Sequence, residues 1–434
     1  MNTKQGAILA TVVLLGFTSV ATADEKEIVS SLTLEQLVGD AMRENPQLKS
    51  MRAKWEAMKE RPAQERTLPN PMLTYSGMDM IDGGTWPDTQ EKRVMVQQEF
   101  PWFGKLGLKG KVAEKDAESM QREYEAMQRE VIMMVKESYF DLYATQRALS
   151  ITRAEEDVLK QMQKIAEAKY GVGETTQQDV LKAQAEISML KARILELEQQ
   201  QAVLKAKLNQ LLNRRADSPL GLAVTEPQRE FEFQADQLFG LAEKNRPEIK
   251  QARAQIERSQ RERDLMKKEF LPDYRLGVEY RNVGVDWSDF SRSDNMVMFT
   301  IGIDLPIWQT KYRAGVREAN KMIESTQAAL EAAETQTSYD VQDASFKLLT
   351  ARRSLDLYAS ALVPQAEARF HASEAGYQTG KVDFLDLLES ERFLLNARVM
   401  AVMAEGNVGM QLARLERAVG TDLKPSTDSG ENGK

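Results

Sequence analysis

The sequence predicts a mainly α-helical chain with a small β membrane part, built from one unit used twice. Three observations carry this. A set of landmarks recurs once along the chain, two helical runs are too long for a globular domain, and four short runs alternate apolar with polar residues. Asn45-Pro46-Gln47-Leu48 answers to Arg246-Pro247-Glu248-Ile249, and Leu68-Pro69-Asn70 to Leu271-Pro272-Asp273. Phe100-Pro101-Trp102 answers to Leu305-Pro306-Ile307-Trp308; Tyr170, Gly173 and Leu181 answer to Tyr377, Gly380 and Leu388. The order is kept while the offset grows only from 201 to 207 residues, which is the signature of an internal repeat.

The chain opens on an address. Lys4 gives a basic start, Ala7 to Val20 an apolar stretch, and Ala21-Thr22-Ala23 a small-x-small cleavage site before Asp24 and Glu25. The stretch is short for a membrane anchor, which needs about 20 apolar residues. Residues 1–23 therefore read as a signal peptide. No later segment holds 18 consecutive apolar residues, so a chain that enters a membrane after export must do so as strands.

The first unit, 24–220, then starts with a helix near 33–66, closed by the Leu-Pro-Asn breaker. Alternating runs at 72–80 and 93–100 follow: Leu73 and Tyr75 stand against Thr74 and Ser76, and Val94, Val96 and Phe100 against Arg93, Gln97 and Glu99. Next comes a helix from about 105 to 170, on the order of 100 Å long at 1.5 Å per residue. A Gly-containing turn (Gly171, Gly173) leads to a returning helix near 175–215. In it Ile187, Leu190, Ile194, Leu197, Gln201, Leu204, Leu208 and Leu211 fall three and four apart, a coiled-coil seam that pairs antiparallel neighbours.

The second unit, 221–420, repeats the plan with a helix near 235–269, strands at 273–281 and 296–305, a helix over 310–376, a turn at Gly380 and a return near 381–419. Its returning face is smaller: Leu394, Ala397, Ala401, Ala404, Val408 and Leu415. Residues 421–434 read as a disordered tail.

Val297, Phe299, Ile301, Ile303 and Leu305 share one strand face, and Met296, Met298, Thr300, Gly302 and Asp304 the other. Such alternation fits a barrel with lipid outside and water inside, and equally a half-buried sheet in a soluble protein. Polar, Gly-rich links at 81–91 and 282–294, each with a Trp, have the composition of exposed loops. Four strands cannot close, since the smallest membrane barrels have about eight. Spanning strands would therefore oblige the chain to oligomerise.

Composition narrows function. The balance of 58 basic and 66 acidic residues gives −8 and no dominant basic face, so nucleic acid is not an expected partner. With no cysteine and His371 the one histidine, no nucleophile–base pair or Cys/His metal cluster stands out, and neither enzyme nor cofactor is expected. A soluble periplasmic coiled-coil adaptor or scaffold is the competing reading of the helices, opposed by the signal segment and the strands.

As an ensemble, the duplicated helix, the strand pair, the exits Phe100-Pro101-Trp102-Phe103-Gly104-Lys105 and Leu305-Pro306-Ile307-Trp308, and the long hairpins resemble the TolC family of outer-membrane efflux proteins. The first exit and Leu32-Thr33-Leu34-Glu35-Gln36-Leu37 look most like its heavy-metal (CusC/CzcC-like) branch, although no Cys follows the signal segment to carry the lipid found on many of those relatives. The resemblance implies a homotrimer that pools twelve strands into one barrel in the lipid of a Gram-negative outer membrane. It implies a periplasmic helical tunnel tapering at the Gly turns, and docking to a periplasmic adaptor and an inner-membrane pump of the RND type.

It further implies that Asp386 and Glu389, three apart on one helical face, form the constriction, six carboxylates in the trimer. Read without it, both are ordinary solvated charges beside Glu391 and Arg392. Tyr377 and Asp179 resemble a pair that latches neighbouring hairpins, with Val382 where a basic latch residue would stand. Among 21 methionines, Met78, Met80, Met95, Met296 and Met298 fall on the lumen phase of the strands. Thioethers there suit soft monovalent metals, while most methionines fill gaps in helical packing.

Overall fold

The computed structural model describes residues 32–78, 91–224, 235–283 and 294–423. The signal segment, most of both interstrand loops and residues 424–434 lie outside them. Helices α1 (Leu34–Glu44) and α2 (Pro46–Arg66) lead to strands β1 (Met72–Met78) and β2 (Glu91–Phe100), then α3 (Lys105–Gly171) and α4 (Gln177–Leu211). The second half runs α5 (Ala235–Asn245), α6 (Pro247–Lys268), β3 (Asp273–Val283), β4 (Asp294–Asp304), α7 (Gln309–Leu357), α8 (Val363–Gln378) and α9 (Phe384–Val419).

Each of the expected opening helices is two helices. Asn45 accepts from the N–H groups of Gln47 (2.9 Å) and Leu48 (3.2 Å), capping α2 with Pro46 at its first turn, where a missing N–H costs nothing. Its amide donates to the Leu211 carbonyl at 3.0 Å, tying this corner to the end of α4. At the matching break, Arg246 is buried and pairs with Glu248 and Asp340. The expected 310–376 helix is likewise interrupted, by a π-helical turn at Tyr358–Leu362 just before Pro364. A wider turn relieves the carbonyl that proline can neither reach nor clear.

Helix α3, at 67 residues, is about 100 Å long. It touches α2, α4, α6 and α9, so it is the spine of both halves. The predicted α4 seam is buried except Gln201, which is half-buried. The α9 seam packs by smallness. A Cβ placed on Gly406 would stand 2.8 Å from the Phe140 carbonyl oxygen and 2.7 Å from the Ala144 Cβ, so only glycine lets α9 lie this close to α3.

The strands form one antiparallel sheet in the order β1-β2-β3-β4. Register aligns one apolar face across all four: Leu73–Val96–Val278–Phe299 and Tyr75–Val94–Tyr280–Val297. Nothing among the described residues covers it, and Phe299 and Ile301 are 77% and 75% exposed. On the other face Arg93 reaches Glu91 (2.6 Å), and Arg281 reaches Glu91 (2.9 Å) and Glu279 (3.6 Å). An apolar outside and a charged inside distinguish a membrane barrel wall from a soluble half-buried sheet. No described helix is long and apolar enough to cross a membrane.

Lys105 pins the sheet to the helices. Its side chain is 3% exposed, and Nζ lies 3.0 Å from Asp273, 3.4 Å from Glu269 and 3.1 Å from the Leu271 carbonyl. Gly104, at φ +85°, makes the left-handed step that starts α3. Trp102 donates its N–H to Asp273 (2.6 Å) and stacks on Tyr274.

One expectation is corrected at the C-terminus, where 421–423 are packed. Asp422 bonds Lys136 (3.2 Å) and Arg129 (3.3 Å), and Leu423 is buried.

Candidate functional site at the helical tips

Both hairpins turn on a glycine. Gly173 (φ +80°) donates to the Tyr170 carbonyl at 3.0 Å, and Gly380 (φ +72°) to that of Tyr377 at 3.2 Å. The left-handed step ends each outgoing helix and turns the chain back. Gly171, by contrast, is the last residue of α3.

Beyond the second turn Asp383 caps α9, accepting from the Asp386 N–H at 2.9 Å. This fixes Asp386 in the first helical turn, where a negative charge sits well with the helix dipole. Phe384, Leu387 and Leu388 bury the opposite face against Leu159, Met162, Ala183, Ile187 and Leu190. Asp386 and Glu389 are left exposed, one turn apart. Neither makes an ion pair among the described residues. The nearby Arg392 feels Glu389 but is taken by Glu186. In the first hairpin the corresponding acid is neutralised, because Asp179 accepts from Thr175 and faces Lys182 at 3.6 Å.

Tyr377 is buried and its hydroxyl has no hydrogen-bond partner among the described residues. Burial first, and then the charge of Asp179, raise its pKa, so the two are neighbours that do not bond within one protomer. The basic group that holds Tyr377 comes from the first hairpin. Lys169 donates to the Tyr377 carbonyl at 3.1 Å and stands 4.3 Å above its ring, joining the last turn of α3 to that of α8. A lysine one residue before the Tyr170 landmark was the available signal. Val382 packs back onto Gly376, at which a Cβ would approach within 2.4 Å of its methyl group.

Of the strand methionines, Met80 lies outside the described residues, and Met78 is described by its pairing with Glu91 alone. Met95 and Met298 flank Glu279 on one row, two strand spacings or about 10 Å apart. Met296 sits beside Arg281 on the next row. No cluster of three or more His, Asp or Glu able to hold a metal occurs among the described residues.

The model of the outer membrane efflux protein family matches residues 37–214 and 238–421. The chain belongs to that family. Among curated relatives, the cobalt-zinc-cadmium resistance protein CzcC of Cupriavidus metallidurans is 22% identical over 410 residues, 93% of either chain. The outer membrane protein TolC of Vibrio cholerae is 23% identical over 420 residues, 93% of this chain and 94% of TolC. Among solved structures, CusC superposes with a TM-score of 0.78 at 18% identity over 89% of this chain and 92% of CusC. The open state of the Neisseria gonorrhoeae channel MtrE gives 0.76 at 21% identity, over 90% and 89%.

This outer membrane efflux protein is thus a Gram-negative outer-membrane channel, not an enzyme, and the exit duct of a tripartite efflux system. Channels of this family are trimers with a helical tunnel lying largely in the periplasm, and the four-stranded sheet of this chain is its share of the β-barrel.

Proposed function

We propose that this duct serves the expulsion of heavy-metal cations, joined through its helical tips to a periplasmic adaptor and an RND-type inner-membrane pump. The observation that carries the substrate class is the full-length similarity to a cobalt-zinc-cadmium resistance protein. Asp386 and Glu389 form the constriction: both are exposed and unpaired at the tip, whereas the corresponding acid of the first hairpin is neutralised. Three copies place six carboxylates around one aperture. Such a ring draws cations in and opposes its own closure. Lys169 and Tyr377 hold the second hairpin against the first, with Asp179 at the same corner. Residues 1–23 are removed on export, and 24–220 and 221–420 are the two copies of the repeat.

Deleting the gene and measuring growth against metal salts and organic dyes tests the substrate class. Tolerance to cobalt, zinc or cadmium is expected to fall several-fold with dye tolerance unchanged. Loss of dye tolerance alone would assign the duct to organic substrates instead.

A further inference from the structure

Five residues beyond Asp386, about 7.5 Å further along α9, the helix carries an acid with no ordinary reason to be where it is. Glu391 is 1% exposed, and both its carboxyl oxygens lack an N–H or O–H donor among the described residues. A buried carboxylate in that condition is costly. The group within hydrogen-bonding reach is another carboxyl, Glu155 of α3, itself 5% exposed. Two carboxyl groups can bond only through a proton, since an ionised carboxylate accepts and cannot donate.

Among the described residues the countercharge that acts on Glu391 is Arg392, and it is shared. From α4, Glu186 adds a third acid, and it takes Arg392, the neighbouring cation on α9. From α8, Ala366 and Phe370 pack uncharged beside Leu394. The charges of α8 are committed elsewhere: Glu367 binds Arg398 at 2.8 Å, Arg369 lies over the Phe393 ring, and Glu374 faces His371 at 3.6 Å. Arg392 is therefore held mainly by Glu186, and the Glu155–Glu391 contact is left to a proton.

We propose that Glu155 and Glu391 form a proton-binding site that locks α9, and with it the tip of the second hairpin, onto α3, making the closed tunnel sensitive to pH. The effect on the aperture rests on the reading of Asp386 and Glu389 as the constriction; the lock itself does not. Burial, followed by the bond to Glu155 and the charges of Glu155 and Glu186, holds the Glu391 carboxyl protonated up to about 9 against an ordinary 4.5. The folded tip thus binds a proton that the undocked helix releases. Its contribution is fully present below about pH 4.5 and declines through the window up to about 9. Above it, two buried carboxylates face each other and the helices separate.

The test combines two readouts on purified trimers between pH 5 and 9. One is amide hydrogen exchange in α9 over 387–397, the other single-channel open probability. In the wild type, exchange and open probability should both rise several-fold with pH. Glu391→Gln supplies an amide donor to Glu155 without a proton and should flatten both. If that variant fails to assemble, Glu391→Met, of similar volume and with no proton to release, carries the same expectation. Retention of the wild-type pH dependence of exchange by an assembled variant overturns the lock. A flattened exchange profile with unaltered open probability keeps the lock and overturns the placement of the aperture at Asp386 and Glu389.

Discussion

Replacing Asp386 and Glu389 together by alanine is expected to weaken block of the trimer by trivalent cations about tenfold or more, and to raise its single-channel conductance because the shorter side chains widen the aperture. A unit charge pair at about 10 Å is worth roughly 0.4 kcal/mol in water. Screening at a Debye length of about 10 Å removes roughly two thirds of that. Summed over six carboxylates and a trivalent ion, the remainder exceeds the ~1.4 kcal/mol that a factor of ten requires. Both side chains are exposed, so their loss leaves no cavity, and Asp383 rather than Asp386 supplies the helix cap. The phenotype should therefore be one of conduction and not of folding. Planar-bilayer recordings with and without a trivalent cation measure it, and unchanged conductance together with unchanged block would remove these residues from the aperture.

Lys105→Met should act on assembly instead. The ammonium sits among Asp273, Glu269 and the Leu271 carbonyl at the corner where β2 becomes α3 and α6 becomes β3. Methionine keeps most of the aliphatic stem but leaves the acids without their cation. Breaking a buried pair costs about 3–5 kcal/mol. Glu269 and Asp273 are partly exposed and solvent compensates them in part, so about 2–3 kcal/mol is the fitting scale. Strand entry into the sheet hangs on this corner, because Trp102 also donates to Asp273. The temperature at which the trimer dissociates in detergent, read on gels, should fall by about 2–3 °C. An unshifted transition would show that the contacts of Trp102 with Asp273 and Tyr274 hold the corner without the lysine.

Periodic features were legible in the sequence. The alternation in 296–305 places the same residues on the same faces as the β3–β4 register, and the α4 seam is the buried side of that helix. Punctuation was read less well. Asn45-Pro46 and Arg246-Pro247 serve as repeat landmarks, yet the helix-forming composition on either side runs unbroken through each. Proline is tolerated in a first turn, so an X-Pro step both ends one helix and begins the next. The π turn before Pro364 has no periodic signature, because one extra residue per turn leaves the pattern on either side intact.

The parts of the tip that depend on packing were not legible. The contact of Lys169 with Tyr377 spans 208 positions, and nothing local marks it. In the run Leu387-Leu388-Glu389-Ser390-Glu391-Arg392 nothing sets Glu391 apart from its exposed neighbour Glu389. Glu391 is instead fully buried, because α9 is enclosed there by α3 and α8. The motif Phe100-Pro101-Trp102-Phe103-Gly104-Lys105 was recognisable as a pattern, but the burial of its lysine was not.

Three open sheets close into one barrel only if the unpaired edges β1 and β4 meet between protomers. Within one chain they are separated by β2 and β3, three strand spacings or about 14 Å. That is too far for a disulfide, which needs Cα atoms within about 7 Å. The chain has no cysteine of its own, so an introduced pair reports without background. Thr74→Cys on β1, combined in turn with Met296→Cys, Met298→Cys, Thr300→Cys or Gly302→Cys on β4, scans the possible registers on the lumen face. Oxidised outer membranes should yield a covalent trimer in at least one register, collapsing to monomer on reduction. Monomer in every register, from protein that still reaches the membrane, would contradict the barrel.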